Sequence, residues 1–314
     1  MNNYTIYDPY VYNGGVYKHG LLLELLEDIG GYLVNKIVTA SEITMDMFIP
    51  REDFYAMESL SSKLLGKLIK SPLTGVEIAV ISPTLSSQHL PHSACDIAES
   101  LRHPGAKTTM IGLARGMGRN ISMNMSFERN LINEHDIAVF SFGVFKDCII
   151  NKKTRLFEGI DIPIVVVGGP KNIDLSDLHG ASLYVGSIGR IAHRSRNPEE
   201  LKQLENLNDQ VSNLCNNLRL KLSKDPPSIF PAKVMKYIEE QVPEIKSSIA
   251  PSPISLKLSG LRVKLPYDLY YEKVANVEFD NGTKLKEVAN ISKSLMNDYI
   301  LINIKKKSTI GFEI

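Results

Sequence analysis

The segment HLPHSACDIAESLRHPGAKTTMIGLARGMGR (89–119) gathers side chains that can do chemistry: His89, His92, Cys95, Arg115 and Arg119. The apolar run VEIAVIS (76–82) predicts a strand leading into His89, Pro91, His92 and Cys95, where a helix is expected to begin. A soft thiol and two imidazoles would then stand at a strand's C-terminal edge, over a helix N-terminus. Open α/β sheets bind ligands at that edge, and free backbone N–H groups there favour a thiolate. A metal cluster or a covalent intermediate could use it. The plain alternative is packing of Cys95 in the first turn of a helix, since cysteine is often buried.

Cys148 takes a matching place after the third expected strand of the same region, in SFGVFKDCII. In a flavodoxin-like order the first and third strands are neighbours at the switch point, so both thiols would face one crevice. Cys215, on the apolar side of a long helix, reads as a small hydrophobe. Neither C-x-x-C nor a four-cysteine spacing occurs, so the chain alone cannot close a conventional four-thiolate iron–sulfur site. A cluster here would need inorganic sulfur bridging, histidine ligands or ligands from another subunit.

The loop GLARGMGR (112–119) is the second feature, with Gly112, Gly116 and Gly118 beside Arg115 and Arg119. Glycines admit a ligand close to the backbone, and amides with guanidinium groups suit an anion such as sulfide or phosphate. It is neither G-x-G-x-x-G nor a Walker loop, and a plain flexible turn is the competing reading. Gly168-Gly169-Pro170 and Gly186–Arg190, with His193 and Arg194 after it, are expected at the same sheet edge. Gly-Gly-Pro reads first as a tight turn and second as a ligand contact. His135 precedes a strand and belongs to the opposite edge. A nucleophilic Cys95 with His92 as base is conceivable, but no Ser-His-Asp arrangement and no H-E-x-x-H is found.

The elements that must position these residues form four parts. Residues 1–71 read as a ferredoxin-like α+β unit, strand–helix–strand–strand–helix–strand, with Asn13-Gly14-Gly15 as a turn signal. Residues 72–222 alternate strand and helix, with strands at 76–82, 107–114, 136–142, 162–168 and 182–186. Helices are expected near Ser93, Ser126, Lys146 and Leu175, and from Pro198 to Leu222. This is the pattern of a doubly wound, mostly parallel sheet of the flavodoxin or Rossmann kind. Residues 223–265 are proline-punctuated around one short helix, PAKVMKYIEEQ, and read as a wrapping linker with little core of its own. Residues 266–314 suggest a small β-rich unit containing YEKVANVEF, the turn DNGT and DYILINIKK.

Bulk composition narrows the class. Apolar residues are 43%, charged residues 23% and net charge +1, an ordinary globular balance with no general polyanion-binding surface. No apolar run reaches the roughly 20 residues of a membrane span, and MNNYTIYDPY does not read as a signal peptide. Three cysteines are too few for a disulfide framework, so a reducing cytoplasm is expected, with neither nucleic acid nor membrane as partner.

HLPHSACDIAESLR, GAKTTMIGLARGMGR, NLINEHDIAVFSFGVFKDCI, IVVVGGP and YVGSIGRIAHR together closely resemble the methanogenesis marker protein 7 family of methane-producing archaea. The likeness extends to YDPYVYNGGVYKHG and LRVKLPYDLY, and so spans nearly the whole chain. The central region is also distantly similar to methyl-coenzyme M reductase operon protein C, which has a cysteine-containing segment at the position of Cys95 and a histidine at that of Cys148. The resemblance implies an accessory subunit in place of a stand-alone enzyme. Its setting would be the complex that reductively activates methyl-coenzyme M reductase, from Ni(II) to Ni(I). The implied partners are operon protein C, marker proteins 3 and 17, an ATP-binding component and the reductase itself. The implied cofactor is a complex iron–sulfur cluster of the nitrogenase-precursor type, held by Cys95, Cys148 and His92 and shared with a partner. The glycine-arginine loop, with Gly168 and Gly169, would cover its sulfides. A structural adaptor and a nucleotide- or thiol-dependent enzyme stand as the alternatives.

Overall fold

The computed structural model describes residues 6–83, 93–113, 125–189, 198–248, 250 and 252–311. The chain divides into two compact units, one comprising residues 1–75, 218–293 and 297–314, the other residues 76–217 and 294–296.

The first unit opens with strand β1 (Tyr7–Gly15), helix α1 (Gly20–Asp28), β2 (Tyr32–Val38), β3 (Glu42–Pro50), α2 (Phe54–Lys63) and β4 (Lys67–Lys70). The four strands pair antiparallel in the order β2-β3-β1-β4. Alternation along β3 sends Ile43, Met45, Met47 and Ile49 to one face, where they bury against Leu22 and Leu26 of α1 and Met57 of α2. Phe48 points the other way, into the core built by the later part of this unit. Asn13-Gly14-Gly15, expected as a turn, lies inside β1. A Cβ on Gly14 would collide with the buried Tyr12 ring, so this glycine serves close packing and the chain turns only after Gly15.

The second unit carries β5 (Glu77–Ser82), α3 (Ser93–Arg102), β6 (Lys107–Gly112), α4 (Ser126–Asn133), β7 (Ile137–Ser141), a single helical turn α5 (Lys146–Cys148), β8 (Ile164–Val167) and β9 (Leu183–Val185). Its five strands are all parallel, in the order β6-β5-β7-β8-β9. Every residue of β5, β7 and β8 is buried, as expected of strands covered on both faces. The helix expected near Leu175 is only the 3-10 turn Leu175–Asp177. The long helix α6 (Pro198–Leu222) buries Leu204, Leu207, Val211 and Cys215 along one stripe.

Beyond α6 the structure departs from the sequence reading. Besides the expected short helix, α7 (Pro231–Gln241), the proline-punctuated stretch holds β10 (Ile254–Lys257) and most of β11 (Gly260–Pro266). It therefore supplies core: Val234, Met235, Ile238, Leu256 and Val263 are all buried in one cluster with Phe48. YEKVANVEF, expected as a strand, lies mostly in helix α8 (Tyr267–Ala275), which starts directly after Pro266 and buries Val274 and Ala275. Then follow α9 (Leu285–Val288), β12 (Ala289–Lys293), β13 (Tyr299–Ile304) and α10 (Lys307–Ile310). These strands form an antiparallel sheet in the order β10-β11-β13-β12.

Candidate functional site

The described candidate residues follow strands that end at the C-terminal edge of the parallel sheet. Its last row is set by register, Ser82 opposite Gly112 and Ser141 opposite Val167. β5 and β7, the strands that precede Cys95 and Cys148 in the chain, are neighbours in the sheet. A buried contact reaches β7 from α3: Ser93 Oγ at the start of α3 lies 3.1 Å from Ser141 Oγ at the end of β7. The first turn of α3 is thus fixed against the strand that leads to Cys148. Cys95 is exposed, Cys148 half-buried and Cys215 sealed in the core; none of the three forms a disulfide.

The chain around Cys148 is unusual. After Gly143, Val144 and Phe145, the last with 76% of its surface exposed, the single turn α5 runs into a π-helical turn, Ile149–Lys153. Such turns recur at functional sites. Lys153, five residues after Cys148, has its ammonium group pushed below the usual lysine range by burial. The sulfur of Cys148 opposes that effect, while Arg155 adds to it. Sequence reasoning missed Lys153. Ordinary 3.6-residue periodicity puts positions five apart on different faces, whereas an i→i+5 turn brings them together.

Gly168 and Gly169 pack neighbouring loops together. Gly169 N–H donates to the Gly143 carbonyl and Gly168 N–H to the Val185 carbonyl, both at 3.1 Å. A Cβ on Gly169 would stand 2.6 Å from Val144 Cγ1, and one on Gly168 3.1 Å from Ile149 Cδ1. The two glycines therefore let three loops stack backbone on backbone, and their amides are already engaged. The Tyr184 hydroxyl donates to the Pro170 carbonyl in the same stack, and burial pushes its ionisation up to about 12. Gly112 ends β6, exposed at the expected edge. His89, His92, Arg115, Gly116, Gly118, Arg119, Arg190, His193 and Arg194 lie outside the described residues. Among the described residues no three His, Cys, Asp or Glu side chains come together as a metal-holding group. His135 sits buried at the opposite edge, before β7, as its position in the sequence implied.

A family model described as methyl-coenzyme M reductase operon protein C matches residues 7–277. The chain belongs to that family. The match takes in both units, and its description ties the family to the operon of methyl-coenzyme M reductase. An uncharacterized protein of Methanocaldococcus jannaschii is 46% identical over 308 residues, covering 98% of this chain and 97% of its own length. Among solved structures, lysine decarboxylase A from Pseudomonas aeruginosa aligns with a TM-score of 0.29 and 11% identity, over 56% of this chain and 21% of that one. A likeness that low bears neither on fold nor on function. No helix among the described residues is long and apolar enough to cross a membrane.

Proposed function

We propose that this family member is an accessory subunit of the ATP-dependent complex that reductively activates methyl-coenzyme M reductase, and that it belongs to the marker protein 7 branch. Operon protein C, marker proteins 3 and 17, the ATP-binding component and the reductase are its partners in this reading. The strand orders are read as flavodoxin-like in the second unit and ferredoxin-like at the start of the first. One observation carries the proposal: two free thiols, one exposed and one half-buried, follow adjacent central strands at the ligand-binding edge of the sheet.

That donor set suits a sulfide-bridged cluster, which needs few protein ligands, and does not suit a four-thiolate site. Cys95 and Cys148 would be terminal iron ligands, and the set would be completed by His92 or by another subunit. When bound, such a cluster would supply electrons at low potential. The chain's own contribution is to hold the two thiols on a rigid edge, through the Ser93–Ser141 contact and the stacked loops behind Cys148. Lys153 would offset part of a cluster's negative charge.

The test is iron and acid-labile sulfide analysis of the complex, purified anaerobically from the native host through a tag on this chain. Cys95→Ser and Cys148→Ser are each expected to lower iron while the partners still co-purify. Unchanged iron in both variants would overturn the cluster assignment. The second reading, a structural adaptor, is favoured by the engaged amides of Gly168 and Gly169. It predicts that both serine variants assemble and activate the reductase like the parent chain.

A further inference from the structure

One end of the four-stranded sheet β2-β3-β1-β4 carries apolar side chains that the fold does not use. Register defines that end: Ile37, Thr44, Asn13 and Lys67 form one row across all four strands. Beyond it lie the turn after β1, the first turn of α1 and the end of α2. Exposed there are Tyr17 (79%), Leu21 (44%), Ile37 (54%), Val38 (51%) and Leu65 (93%).

Leu65 is the most telling. It follows the C-cap of α2 with φ +58, the left-handed conformation in which helices ordinarily place glycine. A leucine there is disfavoured by the backbone, and at 93% exposure it is not packed among the described residues. Neither local preference nor the core accounts for this side chain. An external surface would.

The rim supplies the partner's charge. Lys18, Lys36, Lys63 and Lys67 are all exposed at this end, against Glu42 at the start of β3. Lys18 is itself left-handed, with its ammonium 5.3 Å from the centre of the Tyr17 ring. Two-fold pairing of the surface with a second copy would set lysine against lysine. The polar pairs Thr44–Asn13 and Thr39–Glu42 sit among the apolar side chains, and a lipid surface would leave their remaining polar valences unmatched. We infer that this end of the N-terminal sheet is a docking surface for another protein, one presenting an apolar patch rimmed by carboxylates. The inference stands on the first unit alone and does not depend on the cluster.

The test places a benzophenone photocrosslinker at position 65 of the full-length chain, with position 55 on α2 as a second exposed site for comparison. Illumination of the complex isolated from the native host is expected to join position 65, and not 55, to one partner at an Asp- or Glu-rich peptide. Leu65→Gly should keep or raise thermal stability, because glycine fits the backbone better, yet lower partner recovery about tenfold. Lys67→Glu should lower it further at low salt than at high salt. The cysteine-to-serine variants should leave this crosslink in place, which separates failure here from failure of the cluster reading. The inference is overturned by crosslinking to a second copy, by equal crosslinking from both positions, or by unchanged recovery with Leu65→Gly. Leu65-dependent co-sedimentation of the isolated chain with phosphatidylglycerol vesicles would also overturn it, in favour of a membrane.

Discussion

Replacing Gly169 by alanine probes the loop stack behind Cys148 with a single methyl group. The new Cβ would meet Val144 Cγ1 at 2.6 Å and Val144 Cα at 2.9 Å, inside the closest approach real Cβ atoms make. One neighbour is a side-chain end, but the other is backbone, so relief requires the Gly143–Phe145 loop to move. Overpacking of this kind costs about 1–3 kcal/mol. With roughly 2–4 °C of melting temperature per kcal/mol for a unit of this size, a fall of about 2–12 °C is expected by circular dichroism. Gly20→Ala is the control, since nothing lies within 4 Å of its would-be Cβ. The displaced loop leads straight into Cys148, so the rate of Cys148 alkylation should change in parallel while that of Cys95 does not. A Gly169→Ala protein that melts within 1 °C of the parent and alkylates at the same rate would refute the stacking argument.

Thiol titration of the native chain should show Cys95 reacting first, Cys148 more slowly, and Cys215 only after denaturation. Asp8 accepts two hydrogen bonds from Arg51, at 2.8 and 3.0 Å, and these hold its carboxyl below the usual range. A depressed folded-state value means the stabilisation is present above the unfolded aspartate value near 3.9 and is lost as pH falls through the folded one. Because Arg51 is 62% exposed, the amount is about 0.5–1 kcal/mol. Arg51→Ala should therefore shift the urea midpoint at pH 7 and leave it unmoved near pH 2. Tyr12→Phe should raise stability by about 1 kcal/mol in urea unfolding, since the buried Tyr12 hydroxyl has no hydrogen-bond partner among the described residues. Glu134 accepts from Ser294 Oγ and the Leu295 amide, both at 2.7 Å, so Glu134→Ala should cost about 1–3 kcal/mol in the same assay.

The parallel sheet was legible because its strands are uninterrupted apolar runs, EIAVIS, IAVFS and IVVV, each closed by glycine or a polar turn. The edge location of Cys95 and Cys148 followed from the same runs, since each thiol comes soon after a strand ends. What misled was local chemistry overruled by context. Gly14 carries a turn residue's signature but spares room for a tyrosine ring. Tyr271 to Phe279 has the β-branched and aromatic content of a strand, yet most of it continues the helix that Pro266 initiates. Prolines at 231, 243 and 253 suggest a linker around one short helix, whereas Pro243 opens a second helical segment and core residues lie between the prolines. Lys153 and the Ser93–Ser141 contact were invisible because a π turn and a cross-element pair leave no mark on periodicity.

Residues 6–75 share a unit with residues 218–293 and 297–311, so the chain begins one body, builds most of another, and only then returns. During synthesis the first four strands leave the ribosome with Phe48, Tyr7 and Tyr32 still waiting for Phe230 and α7, which are made more than 150 residues later. Until then the aromatic face of the first strands lacks the partners that cover it in the folded unit. Slowed translation beyond residue 217 would lengthen that exposure.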